Sequence, residues 1–486
     1  MSQFDTSSDA IALEWQEGQL TYAALSEQVT RVSEWLNTRE ETRFALIADN
    51  SPAWIIIDLA CKKTDKILIP LPLYFSASQT EHVLLDAGVE IVFAQHMPEE
   101  LVDECLEFSV YDIRTYKRNT SVTPDIPAGT GKITFTSGST GEPKGVCLSD
   151  VSQDNVAKSL VSAINLPAAK HLCLLPLPTL LENIAGVYAP LLCQGTVVVR
   201  SAAQLGFSGA SLTEPARFLH QIDSVQPDTL ILVPELLLLL VNACIKGWVT
   251  PGSLKFVAVG GAHTDHDLIE KARAFGLPVY QGYGLSEGVS VTTLNLPGQD
   301  EPHSVGKVLG HTHLESSNGE LVVSGSVFLG YLNNPASFYP DKVVTGDLAT
   351  CSNGFYFVEG RKKNIIVSSL GRNISPEWIE SRLYATGLFR GVLLAGEGQP
   401  FCIAVLIPRG SPESSKIAQA ITAINQTLPD YARVKNWRLA GCSHAPHTLF
   451  TPNGKLRRAD ALRYFASLIN DMYTAGVPAG ESYEFL

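Results

Sequence analysis

Twelve residues, Thr134-Phe135-Thr136-Ser137-Gly138-Ser139-Thr140-Gly141-Glu142-Pro143-Lys144-Gly145, gather five hydroxyls and one lysine among three glycines. Glycine lets the backbone turn where a Cβ would clash. Hydroxyls, an ammonium and backbone N–H groups on such a turn suit phosphate oxygens. The common nucleotide loop G-x-x-x-x-G-K-[ST] cannot be placed on this run, so any phosphate chemistry here has a different geometry. An apolar stretch, Val146-Cys147-Leu148, follows it.

Further along stand other groups that could do chemistry at turns. Phe256-Val257-Ala258-Val259-Gly260-Gly261-Ala262 is a strand running into a Gly-Gly turn, and Tyr280 to Glu287 ends in a hydroxyl and a carboxylate. Thr345-Gly346-Asp347-Leu348 taken alone reads as a turn aspartate. Gly360-Arg361-Lys362-Lys363 is a basic turn, and Pro452-Asn453-Gly454-Lys455 puts a lysine after a tight turn. Each alone is an ordinary surface feature.

Taken in order, they form one pattern. Residues 136–145, T-S-G-S-T-G-x-P-K-G, resemble the signature of the adenylate-forming, acyl-activating (AMP-binding) enzyme superfamily, and Tyr283 to Glu287 resemble its Y-G-x-[ST]-E. Gly319 to Tyr331, Gly371 to Glu380 and Phe450 to Arg458 resemble its later motifs, so the likeness covers nearly the whole chain. Leu175-Pro176-Leu177-Pro178-Thr179-Leu180-Leu181-Glu182-Asn183 is most similar to the long-chain acyl-CoA synthetase version, with Thr179 in place of the usual histidine.

The resemblance implies ATP, Mg²⁺ and coenzyme A, or the phosphopantetheine of a carrier protein, as reactants acting on a small carboxylic acid. It assigns the nucleotide to Thr136, Ser137, Gly138, Ser139, Thr140, Gly141, Lys144, Gly260, Gly261, Ala262, Tyr283, Gly284, Ser286, Asp347, Arg361 and Lys455. Within that set Tyr283 stacks on adenine, Ser286 meets the α-phosphate and Asp347 accepts from the ribose hydroxyls. Lys455, Glu287, Thr136 and Arg361 form the catalytic group, with Glu287 on Mg²⁺. Thr179, Leu180 and Gly284 fall to the acyl pocket, Lys363 to a hinge and Gly371 to the thiol tunnel. Relatives that activate amino acids carry an aspartate near Thr179 for the substrate ammonium. A buried ammonium without a partner is costly, and Thr179 and Leu180 supply no charge, which argues against an α-amino acid.

Elements that must position these residues are legible in outline. Leu25, Val29, Val32 and Leu36 recur at helical spacing after Thr21-Tyr22, and Ser51-Pro52 reads as N-cap and N1 of a helix with Trp54, Ile55 and Leu59. Phe44–Ala48, Ile67–Pro70 and Glu90–Ala94 read as strands, and Gln79–Ala87 as a helix between the last two. Such alternation predicts an α/β fold of parallel sheet covered by helices. Tyr116 to Gly131 reads as a loop, Pro234 to Ala243 as a helix apolar on most faces, and Ser375-Pro376 as another helix start. Its composition reads as a core helix; the resemblance implies that it walls an acyl pocket, and both can hold. With the resemblance, a large N-terminal domain of parallel or mixed sheets, 1–361, should precede a small, mobile α+β C-terminal domain, 362–486.

At 486 residues, with 45% hydrophobic and 17% charged, the chain has much interior. A net charge of −13 argues against generic nucleic-acid binding. Nine scattered cysteines without C-x-x-C read as buried reduced thiols. Met1 to Ala10 has neither a basic nor an apolar signal region, and the most apolar run, Leu230 to Val241, is too short to span a bilayer. The expectation is a cytoplasmic acid–thiol ligase for a fatty or other apolar acid. Delivery to a carrier protein, and a non-catalytic adenylate-binding protein, are the alternatives.

Overall fold

The computed structural model describes residues 8–98, 101–137, 143–209, 211–369, 371–440, 446–451, 454–474 and 482–483. Local signals account for its first helices. Thr21 accepts from the Ala24 N–H at 3.1 Å and starts the helix Tyr22–Asn37, which buries Leu25, Val29, Val32 and Leu36. Ser51 caps Pro52–Lys63 through the Trp54 N–H, with Pro52 in the first turn, where its missing donor costs nothing. The third helix, Ala77–Asp86, begins two residues before the expected Gln79, because Ser76 is the cap and Gln79 its capping-box partner.

Among the described residues the strands make two large mixed sheets, one of four strands and two of two strands. Thirteen strands form the largest sheet, with Val279–Leu285, Phe256–Val259, Thr229–Leu232, Lys170–Leu172, Thr196–Val198 and Ile11–Trp15 as a parallel centre. An eight-stranded sheet has Arg43–Ile47, Ile67–Pro70, Ile91–Ala94 and Lys132–Ser137 parallel at its middle. The expected parallel core is therefore present, flanked by antiparallel strands. One of those flanks, the hairpin Glu104–Val110 with Ile113–Lys117, takes up part of the stretch read as a loop.

Two other readings are revised. The Thr345-Gly346-Asp347 turn lies inside the strand Lys342–Ser352. Val322 faces Val344 while Glu320 faces Leu348, so two extra residues bulge there, and Gly346 adopts φ 76°. Ser375 precedes the helix Pro376–Ala385 without capping it; its hydroxyl donates to Glu377 Oε2 instead.

The smaller C-terminal part folds around Phe389–Ala395, Cys402–Pro408 and Val434–Ala440, with its own apolar core including Ile379, Leu394, Leu406 and Ile417. Lys362 donates to Glu320 at 2.8 Å, Arg409 pairs with Glu235 at 3.3 Å, and Arg382 lies 3.6 Å from Asp265, so charged pairs join it to the larger part. All eight described cysteines are free, but Cys105 and Cys351 are exposed, which corrects the expectation of uniformly buried thiols. Among the described residues no helix is long and apolar enough to cross a membrane.

Candidate active site

A cleft of about 1230 Å³ opens between the two parts of the chain. Gly261, Ala262, Tyr283, Gly284, Asp347, Arg361, Lys363 and Lys455 all line it, so five separate sequence motifs converge on one space.

Each arrives on an element its neighbours explain. Tyr283 and Gly284 end the strand Val279–Leu285, which pairs antiparallel with Ser290–Leu294. A Cβ on Gly284 would stand 1.6 Å from the Ser290 carbonyl oxygen, so only glycine permits this close approach. Gly261 turns out of its strand at φ 78°, above a buried Gly260. Arg361 ends the strand Phe355–Arg361 directly opposite Asp347. Gly360 takes φ 146°, and a Cβ there would meet Ser375 Oγ at 2.4 Å. Lys455 is carried by a turn closed by the Thr451 N–H to its carbonyl at 2.7 Å, with Gly454 at φ 77°.

Asp347 is the electrostatic centre. Arg361 Nε sits 2.7 Å from Oδ1, and the Tyr283 hydroxyl donates to Oδ2 at 2.6 Å. Burial pushes the Asp347 carboxyl up, while Arg361 and Tyr283 pull it back. Burial and the adjacent carboxylate push the Tyr283 phenol well up, so it stays a donor. Lys455 opens onto the cleft yet is walled by protein; this desolvation, then Arg361, lowers its ammonium, while Glu377, Glu380 and Asp347 oppose the shift.

Glu287 lies in the turn Ser286–Gly288 after the Tyr283 strand. Its Oε1 accepts from the Tyr331 hydroxyl at 2.7 Å, and no hydrogen bond to Oε2 is formed among the described residues. One carboxylate with an open oxygen fits a hard cation that takes its remaining ligands from phosphate and water. A cleft with several cations, a buried acceptor carboxylate and a side-chain-free edge fits a nucleotide.

Other expected residues are not gathered there. Gly138, Ser139, Thr140 and Gly141 lie outside the described residues. Thr136 is half-buried near the end of Lys132–Ser137, and Lys144 is exposed on the return strand Pro143–Leu148. Ser286 is half-buried in its turn, and Gly371 is exposed at φ 71°. Neither Thr179 nor Leu180 lines the cleft. Leu180 is buried in the main core and Thr179 opens a helix by accepting from the Asn183 N–H, so the three acyl-pocket residues do not share a cavity. A small apolar cavity of about 70 Å³ lies nearby, lined by Leu181, Ala185, Ile231, Phe256 and Ala258, with His171 on its wall. Leucines of the helix Pro234–Ile245 pack into a separate core and line neither space.

His263 and Glu377 line the cleft without having been singled out. His263 follows the Gly-Gly-Ala turn, so that turn was its available signal; burial and the nearby Lys455 and Arg382 lower its imidazole against Glu377.

Residues 2–332 match the AMP-binding enzyme family, and residues 363–476 match the AMP-binding enzyme C-terminal domain. A feruloyl-CoA synthase from Amycolatopsis sp is 27% identical over 411 residues, 75% of this chain and 78% of that protein. The long-chain-fatty-acid–CoA ligase FadD15 of Mycobacterium bovis is 33% identical over 258 residues, 46% of this chain and 42% of that one. The solved o-succinylbenzoate CoA synthetase (MenE) from Bacillus subtilis, in complex with its acyl-adenylate OSB-AMP, superposes with a TM-score of 0.74. It covers 93% of this chain and 95% of its own, and at 22% identity it establishes the shared fold. With both parts of the chain matched in sequence and the fold matched along nearly its whole length, the chain belongs to the AMP-binding enzyme family.

Proposed function

We propose that this enzyme is an AMP-forming carboxylic acid–thiol ligase that activates a fatty or other apolar acid and passes it to coenzyme A. The observation that carries this reading is the convergence of Tyr283, Asp347, Arg361 and Lys455 on one cleft. An AMP-binding enzyme with CoA ligases among its relatives has this coarse chemistry; fatty against aryl substrate is the finer part of the proposal.

In this reading residues 1–361 hold ATP and the acid, and residues 362–486 carry Lys455. Acid and ATP are both anionic, so repulsion is the first barrier. Lys455 neutralises it from one side, and the hydroxyls and N–H groups of residues 136–145 from the other. Mg²⁺ held by Glu287 would add charge compensation at the phosphates. Tyr283, Asp347 and Arg361 hold the adenosine end while Lys455 keeps the carboxylate in line with the α-phosphorus. Positioning and electrostatics carry such phosphoryl chemistry. No base is needed, because the carboxylate is already ionised at neutral pH. The carboxylate oxygen bonds to phosphorus as pyrophosphate leaves. The C-terminal part then turns about Lys363, withdrawing Lys455 and bringing Gly371 beside the thiol path. Sulfur attacks the acyl carbon and AMP departs with the bonding electrons.

The apolar lining of the small cavity at Leu181, and the lack of a charged side chain at Thr179 and Leu180 themselves, support an uncharged substrate tail. Delivery to a carrier protein uses the same steps. A cytoplasmic setting is part of the proposal, supported by the free cysteines.

Acid-dependent ATP–pyrophosphate exchange, with Mg²⁺ and no thiol, tests this across fatty, aryl and amino acids. Exchange with fatty acids is expected. Exchange with aryl acids alone would overturn the fatty reading, and silence with every acid would overturn ligase activity in favour of adenylate binding alone.

A further inference from the structure

Behind the glycine-rich hairpin lies a closed ring of four buried polar side chains from three elements. Lys132 Nζ, on the strand Lys132–Ser137, is 2.7 Å from Asp58 Oδ1 on the helix Pro52–Lys63, with the two side chains 3% and 1% exposed. Lys132 also donates to Asn183 Oδ1 and, at 2.9 Å, to the Tyr188 hydroxyl. Asn183 Nδ2 and the Tyr188 hydroxyl both donate to Asp58 Oδ2, at 2.9 and 2.7 Å. Of the three protons an ammonium carries, two are donated in hydrogen bonds, to Asn183 and Tyr188, and the charge itself is paired with Asp58. Asp58 Oδ2 accepts the hydrogen bonds from Asn183 and Tyr188, while Oδ1 is held by the ion pair and accepts no hydrogen bond among the described residues.

The third element is unusual. Glu182–Tyr188 forms a π-helix, whose wider i→i+5 turn brings residues five apart, such as Asn183 and Tyr188, toward one face. Such turns are rare, and they are frequent at functional sites. This one directly follows Thr179-Leu180. On the strand side, alternation puts Lys132, Thr134 and Thr136 on one face. Among the described residues the Thr134 hydroxyl is buried without a hydrogen-bond partner, on the strand between Lys132 and Thr136.

Stability alone is a weak reason for this arrangement. A buried ion pair is often no more stabilising than apolar residues of similar volume, whereas removing one partner is severe. A buried network with this many directional contacts instead specifies one relative placement of the elements it joins. We infer that Asp58, Lys132, Asn183 and Tyr188 are positioning residues that lock the strand bearing Thr136 to the helix after Thr179, setting the nucleotide loop and the acyl side in register. The inference rests on the nucleotide and acyl assignments proposed above for those two segments.

Three variants test it: Lys132→Met, the double Asp58→Leu/Lys132→Met, and Tyr188→Phe. For each, the melting temperature, ATP affinity by titration calorimetry, and kcat and KM for acid and ATP in pyrophosphate exchange are measured. Lys132→Met alone should lose both stability and affinity, since it strands the Asp58 charge. The double variant should recover a near wild-type melting temperature yet bind ATP at least tenfold more weakly. Recovery of melting temperature and affinity together would show that the ring is only structural. Should the double variant fail to fold, Tyr188→Phe decides, because it keeps the ion pair and the ring packing. A tenfold rise in acid or ATP KM, or in ATP Kd, at unchanged melting temperature supports the lock; unchanged values overturn it. ATP affinity is readable even if the wild type shows no exchange, so failure of the ligase reading and failure of this inference are separable.

Discussion

Asp347 and Arg361 face each other across paired antiparallel strands, with Nε 2.7 Å from Oδ1, at the mouth of the cleft that Lys455 enters from the C-terminal part. Removing the carboxylate strands a guanidinium and a phenol at once. Hydrogen bonds to a charged group contribute roughly 1.5–3 kcal/mol. Asp347→Ala should therefore raise the KM for ATP by about tenfold or more, measured in pyrophosphate exchange. Tyr283→Phe, which leaves the ion pair, should cost less.

Lys455 reaches the cleft from a turn that belongs to the smaller part. Lys455→Ala should lower acid-dependent exchange by about a hundredfold, the scale of losing one preorganised donor. The same variant should still convert a supplied acyl-adenylate and coenzyme A to thioester. Loss of both half-reactions would refute the assignment.

Gly371 has open space where a Cβ would go, but its φ of 71° penalises any side chain. Gly371→Trp should block thioester formation and spare exchange. Gly371→Ala separates bulk from backbone strain of about 1–2 kcal/mol. Equal damage to both half-reactions by tryptophan would count against the swinging part.

Gly284 allows no side chain, since a Cβ would overlap the Ser290 carbonyl oxygen at 1.6 Å. Gly284→Ala should destabilise the fold by about 3 kcal/mol or more, seen as a lower melting temperature. A soluble variant of normal stability would mean the two strands separate more easily than their pairing indicates.

His311 gives a pH dependence whose sign follows from burial, which pushes its imidazole down from 6.5 to about 4. Above pH 6.5 the ring is neutral folded or unfolded and contributes nothing. Between 6.5 and 4 only the unfolded chain takes the proton, so stability falls as pH falls. Partial exposure limits the effect to about 2 kcal/mol. His311→Gln should flatten that part of a melting-temperature profile against pH.

Much of this was local in the chain. Thr21 and Ser51 sit at helix starts legible in the sequence, each capping an N–H three residues on; Ser76 caps in the same way, but the sequence alone starts that helix at Gln79. The apolar repeat of the first helix and the parallel strands followed from periodicity. The five cleft motifs could be set in order, but nothing in their spacing put Asp347 between the side chains of Tyr283 and Arg361.

Long-range pairing decided the rest. The aspartate read as a turn residue became a bulge in a strand because Glu320 and Val322, more than twenty residues away, set the register. Thr179 and Leu180 separated from Gly284 because one opens a helix, one enters the core and the third borders the cleft. The Asp58–Lys132–Asn183–Tyr188 ring was illegible for the same reason: its members are up to 130 residues apart. A lysine in a strand and an asparagine in a helix carry no local sign that they will meet. The sequence alone determined the local conformations, the family and the chemical inventory. Only tertiary structure decided which charges are desolvated together, because burial and pairing depend on elements brought together from distant parts of the chain.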